Sequence, residues 1–126
     1  MSAILEIELS FSRIILRIRR VGNDILADVS GGNAPHIGCI AVAQPRPSLS
    51  GDGTTSATSS VVNIVGHKDE ALARDIAETL CRAFSCTVVC TGGFHVDGIA
   101  SAHIEELQAI IPTLCQRAID ALAASR

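Results

Sequence analysis

Aromatic side chains are scarce in this chain, which has no tryptophan, no tyrosine and only three phenylalanines in 126 residues. Proteins that bind single-stranded nucleic acid stack bases on aromatic rings, and binding the phosphate backbone requires concentrated lysine and arginine. This chain instead has 13 acidic and 10 basic residues, which gives a net charge of −3. These two shortages argue against nucleic acid as the main partner.

Long apolar runs and familiar targeting or catalytic signatures are also lacking. Although 48% of the residues are hydrophobic, no run approaches the roughly 20 apolar residues that span a bilayer. Glu6 and Glu8 interrupt the apolar stretch near the N-terminus, so we expect no export signal. The sequence has no Gly-x-Ser-x-Gly turn, Walker motif or dinucleotide fingerprint.

The cysteines are odd in number and lie within apolar segments. This distribution is typical of reduced core thiols, and with the missing export signal it predicts a cytoplasmic protein. Cys86 and Cys90 share a C-x3-C spacing on a predicted strand, where the two sulfurs would lie too far apart for an ideal metal site by themselves. The five cysteines are Cys39, Cys81, Cys86, Cys90 and Cys115.

Alternating hydrophobicity predicts strands in the first third of the chain. Apolar residues occupy odd positions over 3–11 and even positions over 14–18, which indicates a hairpin with a turn or bulge between the two strands. In this hairpin we expect Glu6 and Glu8 to face Arg17 and Arg19 on a solvated surface. A third strand over 25–30 ends at Gly31-Gly32.

The middle of the chain changes from apolar to polar. Residues 37–43 are small and apolar, which favours a strand covered on both faces. Residues 45–60 are rich in serine, threonine, glycine and proline and predict a mobile polar loop, either a lid or binding element or a plain disordered insertion. Residues 61–65 predict another short strand.

Helical periodicity appears in the second half. It predicts a helix over 69–84, a strand over 87–91 that ends at Gly92-Gly93, and a helix from an N-cap at Ser101 to Ala124, kinked or divided by Pro112. Strands first and helices later predict one α+β domain over residues 1–126, a largely antiparallel sheet with helices packed on it. The buried stripe of the last helix should include Ile104, Leu107, Ile111, Leu114, Ala118 and Leu122.

Three of the four histidines, His36, His67 and His95, lie close to glycines at the end of an apolar run. Glycine allows a backbone to turn sharply and approach a ligand closely, and imidazole can bind a metal, carry a proton or donate to phosphate. If the strands before His67 and His95 are adjacent and parallel, both imidazoles emerge at one sheet edge. His36 joins them only if its strand runs antiparallel to these two.

Three interpretations of these histidines stay open. The first is a metal site of three imidazoles, with Asp97 as a further ligand or as an acceptor that orients one ring. The second is an anion site in which glycine-rich segments, Lys68 and protonated imidazoles hold a phosphate at a helix N-terminus. The third is that each histidine caps a turn or binds backbone. His103 lacks a glycine context and is expected to be a surface or helix-stabilising residue.

The glycine–histidine segments carry a resemblance to a known family. The segments are Gly-Gly-Asn-Ala-Pro-His-Ile-Gly at 31–38, Gly-His-Lys-Asp at 66–69 and Gly-Phe-His-Val-Asp at 93–97. In their order along nearly the whole chain they resemble the prenylated-flavin chaperones, the LpdD-like accessory subunits of hydroxyarylic acid decarboxylases. The resemblance implies a fold like that of proteasome-assembly chaperones and a tendency to form homodimers.

The same resemblance implies a function and a set of site residues. It implies a cytoplasmic, non-enzymatic carrier of prenylated flavin mononucleotide (FMN), transiently bound to a flavin prenyltransferase and to a flavin-dependent decarboxylase. Alternatives are a small metal-dependent enzyme that uses the same histidines and a protein-assembly chaperone without a cofactor. The implied cofactor-binding residues are Gly31, Gly32, His36, Lys68, Gly92, Gly93 and Phe94, and the residues for a possible divalent metal are His36, His67, His95 and Asp97.

Overall fold

The order of elements is the one that the sequence predicts: five strands, a helix, a strand and a helix. The computed structural model describes residues 1–64 and 70–125. The strands are β1 (Ser2–Glu8), β2 (Arg13–Val21), β3 (Asp24–Gly32), β4 (Cys39–Pro47), β5 (Thr55–Asn63) and β6 (Val88–His95). The helices are α1 (Glu70–Phe84) and α2 (Ser101–Ala124).

The strands form one sheet in the order β1-β2-β3-β6-β4-β5. Every neighbouring pair is antiparallel except β3 and β6, which are parallel. The predicted single α+β domain with a largely antiparallel sheet is thus confirmed. The condition that the strands before His67 and His95 be adjacent and parallel is met only in part: β5 and β6 are parallel, but β4 pairs with both and lies between them.

Both helices contribute to a single hydrophobic core on one face of the sheet. Alternate strand residues such as Leu16 and Val88 point to this face and are fully buried. Ile76 of α1 and Leu114 of α2 meet them there and are also fully buried. Burial of each such side chain contributes roughly 1.5–3 kcal/mol to stability. Because this burial requires apolar residues at regular positions, the periodicity of the sequence predicted these elements. All five cysteines are reduced and buried, as predicted.

The opposite face of the sheet, the open face, is not covered by either helix. On β4, Cys39, Ala41 and Ala43 are buried against α1, whereas Ile40 and Val42 point the other way and are only half-buried. The expectation that this strand is covered on both faces was therefore wrong for the single chain. Small side chains suit β4 because α1 packs closely on one side.

Residues 45–60 are largely strand, which corrects the prediction of a long loop. β4 continues to Pro47 and β5 starts at Thr55, so only residues 48–54 connect them. The amide of Ser48 donates to the carbonyl of Thr54 at 2.9 Å and closes the hairpin. Serine and threonine are accepted here because β5 is an edge strand with one exposed side.

The first hairpin has a register different from the expected one. Glu6 lies opposite Ile15 and Glu8 lies opposite Arg13, while Arg17 lies opposite Ile4. Glu6 instead forms an ion pair at 2.9 Å with Arg13, which lies diagonally across the hairpin, two residues from Ile15. The hairpin itself was predicted correctly, and only its register was wrong.

Helix α2 is one continuous element that includes Pro112, so it is not divided there. Its N-cap is Ala100, one residue before the expected Ser101. Ile104 was expected in the buried stripe but is 42% exposed. Among the described residues, no helix is both long and apolar enough to cross a membrane.

Candidate functional site

Four strands bring their ends to one edge of the sheet, which we call the histidine edge. Strands β3, β5 and β6 end there, and the antiparallel strand β4 begins there. The amide of Gly38 donates to the carbonyl of Gly92 at 2.8 Å, and the amide of Ile64 donates to the carbonyl of Gly38 at 2.8 Å. The orientation of β4 thus meets the condition that we set for His36 to join His95.

His67 and Lys68 lie outside the described residues. The segment that contains them follows Ile64, which is bonded to Gly38 at this edge. Residues 1–64 and 70–125 contain no group of three His, Cys, Asp or Glu side chains arranged to hold a metal. The described part of the edge therefore contributes two of the three predicted histidines.

The glycines that were expected to form turns are strand residues. Gly31 and Gly32 end β3 and pair with Phe94 and His95, while Gly92 and Gly93 are paired within β6. A Cβ on Gly93 would collide with the backbone carbonyl of His36. A Cβ on Gly32, whose φ is +82°, would collide with the backbone of His95. These two glycines let protein backbones approach each other, a structural role that the sequence alone does not separate from ligand contact.

The imidazole of His36 is oriented by the backbone. Its Nδ1 lies 2.9 Å from the carbonyl oxygen of Ala34. Because a carbonyl oxygen only accepts hydrogen bonds, Nδ1 must carry the proton, and in the neutral ring the lone pair is then on Nε2. Metal-binding histidines commonly have one ring nitrogen fixed in this way by a carbonyl or carboxylate.

The imidazole of His95 is oriented by a carboxylate. Its Nε2 lies 2.9 Å from Oδ1 of Asp97, and the two side chains are 53% and 87% exposed. A carboxylate accepts, so Nε2 carries a proton and the neutral ring has its lone pair on Nδ1. Asp97 thus corresponds to the acceptor that orients a ring, one of the two roles considered for it.

Asn33 connects the two histidine segments and was not predicted from the sequence. Its backbone amide donates to the carbonyl of His95 at 2.7 Å. Its side-chain Oδ1 accepts from the amide of Asp97 at 3.0 Å. The available signal was an asparagine directly after two glycines, a residue type that often bonds nearby backbone.

Phe94 does not present its ring to the histidine edge. It is only 8% exposed and lies on the core side of β6, next to Gly31. Phe11 packs edge-on against it with the ring centroids 6.1 Å apart. His103 stacks on Phe11 at 4.3 Å, and its Nδ1 accepts from the amide of Ala100 at 3.2 Å. His103 therefore stabilises the start of α2, as expected.

Glu106 ties α2 to the turn between β1 and β2. Its carboxylate accepts from the hydroxyl of Ser10 at 2.5 Å and from the amide of Ser10 at 2.7 Å. These two bonds, the hydroxyl first, lower the pKa of Glu106. With the stack of His103 on Phe11, this contact joins the first turns of α2 to the neighbouring hairpin.

The architecture defines a class of protein before any family is considered: a six-stranded sheet with two helices on one face. A chain of a chaperone complex for yeast 20S proteasome assembly has this fold, with a TM-score of 0.59 and 15% sequence identity, over 98% of this chain and 95% of that chain. The expected likeness to proteasome-assembly chaperones is thus confirmed for the fold. A comparison with curated proteins gave no match.

The family follows from the sequence itself. The model of the prenylated flavin chaperone LpdD-like domain matches residues 10–123. The chain belongs to this family, as its glycine–histidine segments predicted.

Proposed function

We propose that this chain holds prenylated FMN between its synthesis by a flavin prenyltransferase and its use by a flavin-dependent decarboxylase. The observation that supports this most is the match to the prenylated flavin chaperone family over 10–123, combined with two oriented histidines at one sheet edge. The chain acts as an accessory protein and not as an enzyme. Its reduced, buried cysteines fit a reducing cytoplasm, where we place it.

The cofactor phosphate binds at the histidine edge. His36 and His95 donate to phosphate oxygens when protonated, and Lys68 in the segment after β5 adds positive charge. The same rings, when neutral, have lone pairs on His36 Nε2 and His95 Nδ1 that suit a divalent metal, with His67 as a third ligand. Such a metal would supply positive charge between protein and phosphate.

The flavin ring lies beyond the phosphate, against backbone and aliphatic side chains. Since Phe94 is buried, it supports the site from beneath and does not stack on the ring. Ile37 and Ile64 are 60% and 43% exposed and both adjoin Gly38, which is bonded to Gly92, so they offer an apolar surface there. Exposed aliphatic side chains beside a polar group are typical of cofactor sites.

Anaerobic calorimetry with reduced prenylated FMN tests the proposal. The wild-type protein should bind, and His36→Ala or His95→Ala should weaken binding about tenfold or more, because a hydrogen bond to a charged group contributes about 1.5–3 kcal/mol. His103→Gln is the matched control, since it removes an imidazole from the edge of the core and not from the site. Folded wild-type protein that binds no prenylated FMN would refute the function.

Metal analysis separates the two chemical forms of the site. Protein produced together with a flavin prenyltransferase should contain flavin, and we expect about one divalent metal per bound flavin if a metal bridges the phosphate. Removal of the metal with a chelator should then release the flavin. Flavin-loaded protein that contains no metal would instead support direct contact between imidazole and phosphate.

We also propose that two copies of the chain pair through their open faces. The apolar side chains Ile40, Val42 and Val62 lie there, with Val62 61% exposed. On the same face, beyond β6, Arg17 is opposite Asp28 in the strand register, so both signs of charge are present there. Two such sheets can pack face to face and bury the apolar centre while opposite charges meet at its border.

Light scattering coupled to gel filtration tests this pairing. The wild-type protein should have twice the mass of one chain, and Val42→Asp should convert it to single chains because a carboxylate would be buried between the sheets. Leu49→Asp is the matched control, since Leu49 is 91% exposed on the β4–β5 connection. A wild-type mass equal to one chain would contradict the pairing.

A further inference from the structure

Asn33 binds the His95–Asp97 segment at two points. Its backbone amide fixes the carbonyl of His95, and its side-chain oxygen fixes the amide of Asp97. The side-chain atom must be the amide oxygen, because a backbone N–H requires an acceptor. These bonds hold both ends of a three-residue segment to the end of β3.

Val96, between His95 and Asp97, packs against the core, but the two polar side chains themselves gain little from packing within the described residues. Both side chains are more than half exposed, so neither is held by packing. The segment also leads into Gly98, whose φ of +65° is in the left-handed region and where no atom of the described residues lies within 4 Å of the position that a Cβ would take. An exposed contact between two such side chains is normally weak, because fixing both of them costs entropy. The hydrogen bond from the Asp97 amide to Asn33 reduces that cost, because it already fixes the backbone of Asp97.

We infer that Asn33 is a positioning residue, which holds Asp97 where it accepts from Nε2 of His95 and so directs Nδ1 of His95 toward the ligand. The identity of the ligand in this inference rests on the proposed function, whereas the geometry of Asn33, Asp97 and His95 does not. Asn33 reaches the ligand only through His95. Its effect on binding must therefore disappear when His95 is absent.

Two substitutions test the role of the Asn33 side-chain oxygen separately from that of the Asn33 backbone. Asn33→Ala removes the acceptor for the Asp97 amide but keeps the backbone bond to His95, so the fold should be retained. Asn33→Asp keeps an acceptor oxygen at the same place. Gln116→Ala is the control for loss of an exposed amide, because within the described residues the Gln116 side chain donates along its own helix to Asp120.

The ligand-free protein provides the first measurement, the ¹³C relaxation of the His95 ring. In the wild type and in Asn33→Asp the ring should be ordered, whereas in Asn33→Ala its order parameter should fall below about 0.6. An unchanged ring in Asn33→Ala would overturn the inference, even if the protein binds flavin. A ring that loosens in a protein that binds no flavin would keep the inference and refute only the function.

Binding of reduced prenylated FMN provides the second measurement. Asn33→Ala should weaken it about fivefold, the value of one ordinary hydrogen bond, and Asn33→Asp should restore it to within about twofold. Combined with His95→Ala, Asn33→Ala should cause no further loss. Additive losses in the double variant would show that Asn33 acts independently of His95 and would overturn the inference.

Discussion

Gly93→Ala is the most direct test of how the histidine edge is assembled. The new Cβ would overlap the backbone carbonyl of His36, which cannot rotate away as a side chain could. The segment that precedes β4 must therefore move from β6, although bonds from Gly38 to Gly92 and from Asn33 to His95 hold it there. Overpacking typically costs 1–3 kcal/mol, and each lost hydrogen bond about 1 kcal/mol. We expect a loss of about 3 kcal/mol in the free energy of unfolding.

Urea denaturation measures this loss of stability. Binding of prenylated FMN shows whether the disturbance lies at the histidine edge. A loss of about 3 kcal/mol corresponds to a fall in Tm of roughly 10 °C for a domain of this size. Gly53→Ala is the control, because its φ of +79° makes alanine strained while nothing lies within 4 Å. It should cost roughly 1–2 kcal/mol and leave binding unchanged. If Gly93→Ala is no more destabilising than Gly53→Ala and binds flavin normally, the assumed close approach of His36 is wrong.

Two further predictions concern titratable groups. Burial raises the pKa of the Cys81, Cys90 and Cys115 thiols, so at about pH 8 the folded protein should react with Ellman's reagent at least about tenfold more slowly than the unfolded chain; equal rates would contradict the buried core. Since the bonds from Ser10 lower the pKa of Glu106, they stabilise the fold above the ordinary value of 4.5 and are lost as the pH falls below it. Glu106→Gln should thus lower Tm at neutral pH, with a difference that shrinks toward about pH 3, while Glu105→Gln should have no such effect.

The elements that were predicted correctly are those with a strong period. In β1 and β2, apolar residues alternate with polar ones, which is the pattern of a strand with one buried face. In α1, apolar residues recur every four positions, which is the pattern of a helix with one buried face. Their order along the chain then restricted the fold to an α+β domain. The register of the first hairpin was predicted wrongly because arginines lie diagonally on both sides of the residue opposite Glu6. The sequence alone does not show which of the two arginines forms the pair.

Residues 45–60 show where composition misleads. Glycine and proline lower strand propensity, and the many serines and threonines make the segment polar, yet β5 needs only one apolar side, and Ala57 and Val61 supply it. Ser59 also lies on that side, where its hydroxyl donates to Glu78 of α1 at 2.5 Å. Tertiary contacts of this kind depend on which helix covers the strand. They cannot be derived from the segment itself.

The glycines explain how His36 and His95 come to the same edge of the sheet. Their proximity to histidines pointed to a close approach, and the close approach exists, but its partners are the backbones of His36 and His95. Backbone contacts between β3, β6 and the start of β4 thus place the two rings, and Ala34 and Asp97 then set which nitrogen carries the proton. Substitutions that preserve these backbone contacts should alter affinity at the edge without altering its shape. Substitutions at Gly32 or Gly93 should alter both the shape and the affinity, because they separate the segments that carry the rings.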